Sequence, residues 1–214
     1  MSDLPTAPSG AILQTVGRYY TERLQEFGAT PQGVDWNSAA SQVLRFDLLL
    51  QLVEAPPPES SLLDVGCGYG ALLDTMRERG SALHYRGFDV SAEMISAAEV
   101  RHARDGQCAF TTDPMALRPA TYAVASGIFN VKLQHSAREW RHYVLATLAA
   151  LDAASERGFA FNMLSTYSDP ERRRDTLYYA DPTEMFELCQ RRYSRRVALL
   201  HDYPLYEFTV LVRK

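Results

Sequence analysis

"LLDVGCGYGALL", residues 62–73, runs from an apolar strand into three glycines at alternate positions, Gly66, Gly68 and Gly70. Glycine at that density removes side chains, so a ligand can approach the backbone. The strand ends in a carboxylate, Asp64, at the mouth of the loop. One reading takes the loop as G-x-G-x-x-A (Gly66, Gly68, Ala71), a dinucleotide fingerprint, with Asp89 roughly 20 residues on as the acid that holds a ribose. Charge speaks against it: a pyrophosphate at this loop would meet a fixed carboxylate and be repelled.

Strands and helices alternate outward from the loop. On the N-terminal side, "APPPES" (55–60) ends a helix that Ser38 caps, and an earlier helix from Ile12 to Phe27 stops at Gly28. On the other side follow the strand "HYRGFDV", a helix capped by Ser91, the strands "QCAFTT" and "TYAVASGIF", and an amphipathic helix over 136–154. Then come the strand "GFAFNML", a helix near Thr183–Arg191, and two closing strands, "RVALLHDY" and "YEFTVLVRK". This alternation implies a mostly parallel sheet covered on both faces, with an antiparallel hairpin at one edge. Residues 1–10 read as frayed.

Read from Asp64 as D-x-G-x-G-x-G, the loop resembles motif I of the class I S-adenosylmethionine-dependent methyltransferases. That cofactor carries an ammonium and a sulfonium, which an acid at the strand end attracts. Two further stretches extend the similarity in order and spacing. "GFDVSAEMI" (87–95) places Asp89 to accept from both ribose hydroxyls, with Val90 and Met94 near the adenine, and "YAVASGIFN" (122–130) brings in Ser126. The resemblance covers about residues 60–165 and the closing strand pair. It implies a three-layer Rossmann-like fold, with a seven-stranded, mostly parallel sheet whose last strand is antiparallel, and N-terminal helices ahead of it. It also implies S-adenosylmethionine as cofactor and Asp113 as the acid near the adenine amino group. Cys67 falls within the cofactor loop and reads as buried filler. Arg45, on the helix before the linker, is expected to reach back to the cofactor's carboxylate. On this reading residues 1–58 form a helical cap and 59–214 the cofactor-binding core, with an insertion at about 165–182 acting as a lid.

The expected reaction is methyl transfer to oxygen or nitrogen of a small acceptor. No N/D-P-P-Y/F tetrad follows the fourth strand, and no Pro-Cys pair occurs, so nucleobase and glutamine-amide methylation gain no support. A net charge of −4 recruits neither nucleic acid nor an anionic membrane, and the arginine runs "ERRRD" and "RRYSRR" read as solvated faces. Three scattered cysteines without a CxxC spacing indicate no zinc site and no disulfide framework. With no secretory pattern and no spanning run, a cytoplasmic protein is the default; its oligomeric state is left open. A nicotinamide-dependent oxidoreductase and a non-catalytic subunit that binds S-adenosylmethionine are the alternatives.

The acceptor side is assigned from polar and aromatic residues near strand ends. His135 is a candidate base, with Asn130 and Tyr178 beside it in the catalytic set. Tyr20, Trp36, Asn162 and Tyr179 are candidate acceptor contacts. Adjacent tyrosines at 19–20 and 178–179 cannot both face the core, so one of each pair is expected to point into a cleft.

Overall fold

In this computed structural model, residues 10–114 and 119–214 are described. Most of the expected frayed stretch at the N-terminus lies outside them. Seven strands join in one sheet: β1 (Ser61–Val65), β2 (His84–Phe88), β3 (Cys108–Thr111), β4 (Ala120–Ala125), β5 (Ser155–Leu164), β6 (Arg196–Leu200) and β7 (Glu207–Arg213). Their order is β3-β2-β1-β4-β5-β7-β6. The first five run parallel, and β7 lies antiparallel between β5 and β6. The Rossmann-like architecture is as expected, down to the inserted last strand.

Among the described residues six α-helices flank the sheet: α1 (Gly10–Phe27), α2 (Ala39–Leu50), α3 (Ala71–Glu78), α4 (Ala92–Arg101), α5 (Ala137–Ala153) and α6 (Pro182–Arg192). Alternation along the strands sends successive residues to opposite layers. Leu63, Ala123, Ala125, Phe159 and Phe161 pack with α1, α5 and α6. Leu62, Tyr122, Val124 and Ala160 pack with α2, α3 and α4. Caps fix where the helices begin. Ser38 accepts from the Ser41 amide and Ser91 from the Met94 amide, and Ser136 forms a reciprocal capping box with Glu139.

Two long-range ties hold the N-terminal helices to the core. Gly17 of α1 sits against Val90, and the Thr21 hydroxyl lies 2.7 Å from that of Ser91, so α1 is docked beside the start of α4. On α2, Arg45 grips Glu207 of β7 through two hydrogen bonds, Nε to Oε2 at 2.8 Å and Nη2 to Oε1 at 2.6 Å, with both side chains buried. The Arg45 guanidinium also stacks on the Trp36 ring, 3.9 Å from its centroid.

Candidate functional site

The carboxyl ends of β1, β2 and β4 converge on a cavity of about 470 Å³. The glycine loop forms one wall. Gly66 requires its freedom for two reasons: its φ is +78°, and a Cβ there would lie 2.2 Å from the Ile128 side chain across the cleft. The loop is clipped to β2 by the Gly66 and Cys67 amides, which both donate to the Phe88 carbonyl.

Asp64 lines the cavity and is 2% exposed. Its Oδ2 accepts a 2.6 Å hydrogen bond from the Tyr85 hydroxyl, while Oδ1 is buried with no partner. Burial, only partly offset by that bond, raises its pKa to about 7. Asp89 is arranged differently: Oδ2 accepts from the Gly68 amide and Oδ1 from the Ser91 amide, each at 2.9 Å. Desolvation raises its pKa and these bonds oppose the shift. Asp89 therefore fixes the glycine loop against the start of α4, and its oxygens keep lone pairs toward the cavity. Gly68, Val90, Met94 and Ser126 line the same space, and the Ser126 hydroxyl is a second buried group without a partner. Cys67 lines it too, with burial pushing its thiol pKa up, which suits filler rather than a nucleophile.

These features fit S-adenosylmethionine. An unpartnered, buried carboxylate oxygen invites a cation, and among the described residues no arginine or lysine lines the cavity to meet a pyrophosphate. A methyltransferase-domain family matches residues 36–199. The chain is also 53% identical, over 165 residues covering 77% of it and 99% of the relative, to a Mycobacterium tuberculosis protein named as a methyltransferase, Rv1506c. This chain belongs to the class I S-adenosylmethionine-dependent methyltransferases. The dinucleotide alternative falls with that assignment. Solved structures share the fold at low identity. Synechocystis magnesium protoporphyrin IX methyltransferase with bound S-adenosylhomocysteine has a TM-score of 0.66 at 13% identity, over 95% of this chain and 99% of that one. A DhpI–SAM–HEP complex has a TM-score of 0.63 at 16% identity, over 97% and 100%.

Several expected residues of this methyltransferase lie elsewhere. Arg45 spends Nε and Nη2 on Glu207 and Nη1 on the Ser41 carbonyl, so it does not line the cavity. Asn130 and Asn162 are clamps at strand ends. The Asn130 Oδ1 accepts from the Leu164 amide, and the Asn162 Oδ1 accepts from the Gly127 amide at 2.7 Å. His135 stacks on Trp140 and does not line the cavity. Tyr178 packs against the core, and its amide donates to the Asn130 carbonyl. The Tyr179 hydroxyl accepts from the Arg174 amide inside its own loop. Asp113 is exposed and outside the lining, although the next residue, Pro114, belongs to it.

The segment expected to act as a lid lies outside the cavity lining. Residues 165–182 bridge instead to the loop after β4, through Val131–Leu177, and to their own base, through Ser165–Ala180. None of the 165–182 segment lines the cavity. Tyr20 and Trp36 do line it, as expected. Trp36 lies over Gly127, where a Cβ would come within 2.5 Å of the indole ring. Sequence reasoning missed Leu13, Val16, Gln42, Tyr143 and Thr147. The two α1 residues look like ordinary core positions. Tyr143 and Thr147 are the only polar members of an apolar helical run, and that was the available signal.

Proposed function

We propose that this methyltransferase transfers a methyl group from S-adenosylmethionine to oxygen or nitrogen of an uncharged small molecule. The observation that carries the reading is the make-up of the lining: Asp64 and Asp89 are its only carboxylic acids among the described residues, no arginine, lysine or histidine joins them, and both stand at the glycine-loop end. An anionic acceptor would find no counter-charge. Small-molecule chemistry is also what the names of structural neighbours indicate for those proteins, among them the protoporphyrin enzyme and human N-acetylserotonin methyltransferase.

When bound, the cofactor supplies an activated methyl group on a positively charged sulfur. The chain's own part is to bind, orient and exclude water. Asp64 Oδ1 would receive the cofactor's ammonium and Asp89 the ribose hydroxyls, with Val90 and Met94 beside the adenine. Tyr20, Trp36 and Tyr143 wall the acceptor end, where phenol tips position a polar group and rings exclude solvent. None of the five histidines lines the cavity, so no imidazole stands ready to take a proton. An amine acceptor then has to arrive neutral.

Two outcomes follow. Tyr20→Phe lowers the rate of S-adenosylhomocysteine release over a panel of neutral phenols and amines, while cofactor affinity stays within about threefold, roughly 0.7 kcal/mol. Tyr178→Phe, at a residue that does not line the cavity, changes neither quantity. The reverse pattern would return the acceptor site to the 165–182 segment.

Cofactor affinity also depends on pH. With its pKa raised to about 7, Asp64 holds a proton in the free protein below that pH and must release it to receive an ammonium. Affinity for S-adenosylhomocysteine is thus flat above about pH 7 and falls toward tenfold per unit below it. Calorimetry across about pH 5–8 in two buffers of different ionisation heat checks both the slope and the released proton. A flat profile would mean that Asp64 is already ionised.

A further inference from the structure

Trp36 lines the cavity, and its place there is over-determined. The residue before it, Asp35, ends the short 3-10 helix Pro31–Val34 in the left-handed region, with φ at +61°. A residue other than glycine enters that region at a cost, so its surroundings have to hold it. Here α1 supplies the hold. The Tyr19 hydroxyl donates to Asp35 Oδ2 at 2.7 Å, and Arg23 brings the counter-charge, with Nε 2.8 Å from Oδ1. Burial first, and then the bond to Asp35, raise the Tyr19 pKa to about 12, so the phenol stays a donor at neutral pH. Arg23 Nη2 also donates to the Gln32 carbonyl, and the Trp36 amide donates to that of Pro31.

The indole itself is held as firmly. The Arg45 guanidinium stacks on the ring and cannot swing away, because Glu207 takes Nε and Nη2 while the Ser41 carbonyl takes Nη1. The benzo edge of the ring lies over Gly127, whose chain neighbours Ser126 and Ile128 both line the cavity. Tyr19, Asp35 and Arg45 stand outside the lining, and Trp36 is the lining residue on which their contacts converge. Filling space would need only apolar packing of about the right size. A left-handed aspartate on one side and a fully bonded guanidinium on the other fix an angle as well.

We infer that Tyr19, Asp35 and Arg45 are positioning residues for methyl transfer: they fix the Trp36 indole as the surface against which the acceptor is oriented. The inference rests on the proposed small-molecule reading and names what sets the acceptor's approach. Displacement at a methyl carbon depends on alignment, and a misplacement of about 1 Å costs up to about a hundredfold in rate. The Arg45–Glu207 pair then serves two ends, the stability of the sheet and the angle of the indole.

Trp36 and Trp140 are the chain's two tryptophans, so the full chain labelled with 5-fluorotryptophan gives two fluorine resonances, which Trp36→Phe assigns. Tyr19→Phe removes the bond to Asp35 and leaves the cavity lining untouched. Arg45→Lys keeps a charge for Glu207 but loses the planar fork that reaches Glu207, Ser41 and the indole together. Both variants are expected to shift or broaden the Trp36 resonance and to leave that of Trp140 in place. Both also lower S-adenosylhomocysteine release over a panel of neutral phenols and amines by about tenfold, within the range for misalignment. Their S-adenosylhomocysteine affinity stays within about threefold. In a Trp36→Ala protein, already slow, neither substitution lowers the rate further, as for residues that act through one partner. A Trp36 resonance that keeps its position and width in the folded variants would overturn the inference, and so would rate losses that add to that of Trp36→Ala. Should Arg45→Lys fail to fold, Tyr19→Phe decides alone, since it deletes one hydroxyl from a half-buried residue. An unaltered protein that turns over none of the panel would strike the small-molecule reading instead, while the fluorine spectra still decide whether the three residues hold Trp36.

Discussion

Glu207→Ala lowers the stability of the fold by about 3–5 kcal/mol, the usual cost of removing one partner from a buried ion pair. The loss comes mostly from what remains. Arg45 is 7% exposed, and with Glu207 gone its guanidinium stays buried beside Trp36 without a counter-charge. Domains of this kind have about 5–15 kcal/mol in total, so urea midpoints should fall steeply. Replacing both partners with apolar residues, Arg45→Met with Glu207→Leu, should recover most of the loss, because no charge is then left without a partner. A single substitution that costs less than about 1 kcal/mol would show that water reaches the pair.

Asp64→Ala acts on binding instead. The affinity for S-adenosylhomocysteine is expected to fall by about 2–5 kcal/mol, or about thirtyfold to several thousandfold, as for truncating one member of a buried charged pair. Only Oδ1 faces an unmet need in the free protein, since Oδ2 is already held by Tyr85. Asp64→Asn separates charge from shape. It keeps a carbonyl for the Tyr85 hydroxyl, removes the negative charge, and should lose nearly as much affinity. Stability should hold in the asparagine variant, because a carboxylate with a pKa raised by burial is itself a cost to the folded state at neutral pH. An asparagine variant that binds within threefold of the unaltered protein would remove Asp64 from the cofactor site.

The parts of the site that were legible in the sequence are those written in local chemistry. Gly66, Gly68 and Gly70 follow an apolar strand that ends in Asp64, and Asp89 stands before the helix cap Ser91, so backbone geometry alone brings them together. Polar residues whose partners are distant were not legible. Asn130 and Asn162 look like substrate ligands until Leu164 and Gly127 are seen to donate to them. Arg45 looks free until Glu207, 162 residues away in sequence, arrives beside it. The paired tyrosines at 178–179 were expected to need a cleft, yet one packs on the core and the other bonds within its loop.

The place of β7 in the sheet bears on how the chain is made. It is the last strand in sequence, yet it pairs with β5 on one side and β6 on the other, and it carries Glu207 to Arg45. On the ribosome, β5 and β6 emerge before the strand that joins them. Until β7 inserts, β5 presents an unpaired edge, and such edges recruit other chains. Insertion of β7 closes that edge and completes the buried ion pair in one event, so the exposure of nascent chains to aggregation lasts as long as this single step takes.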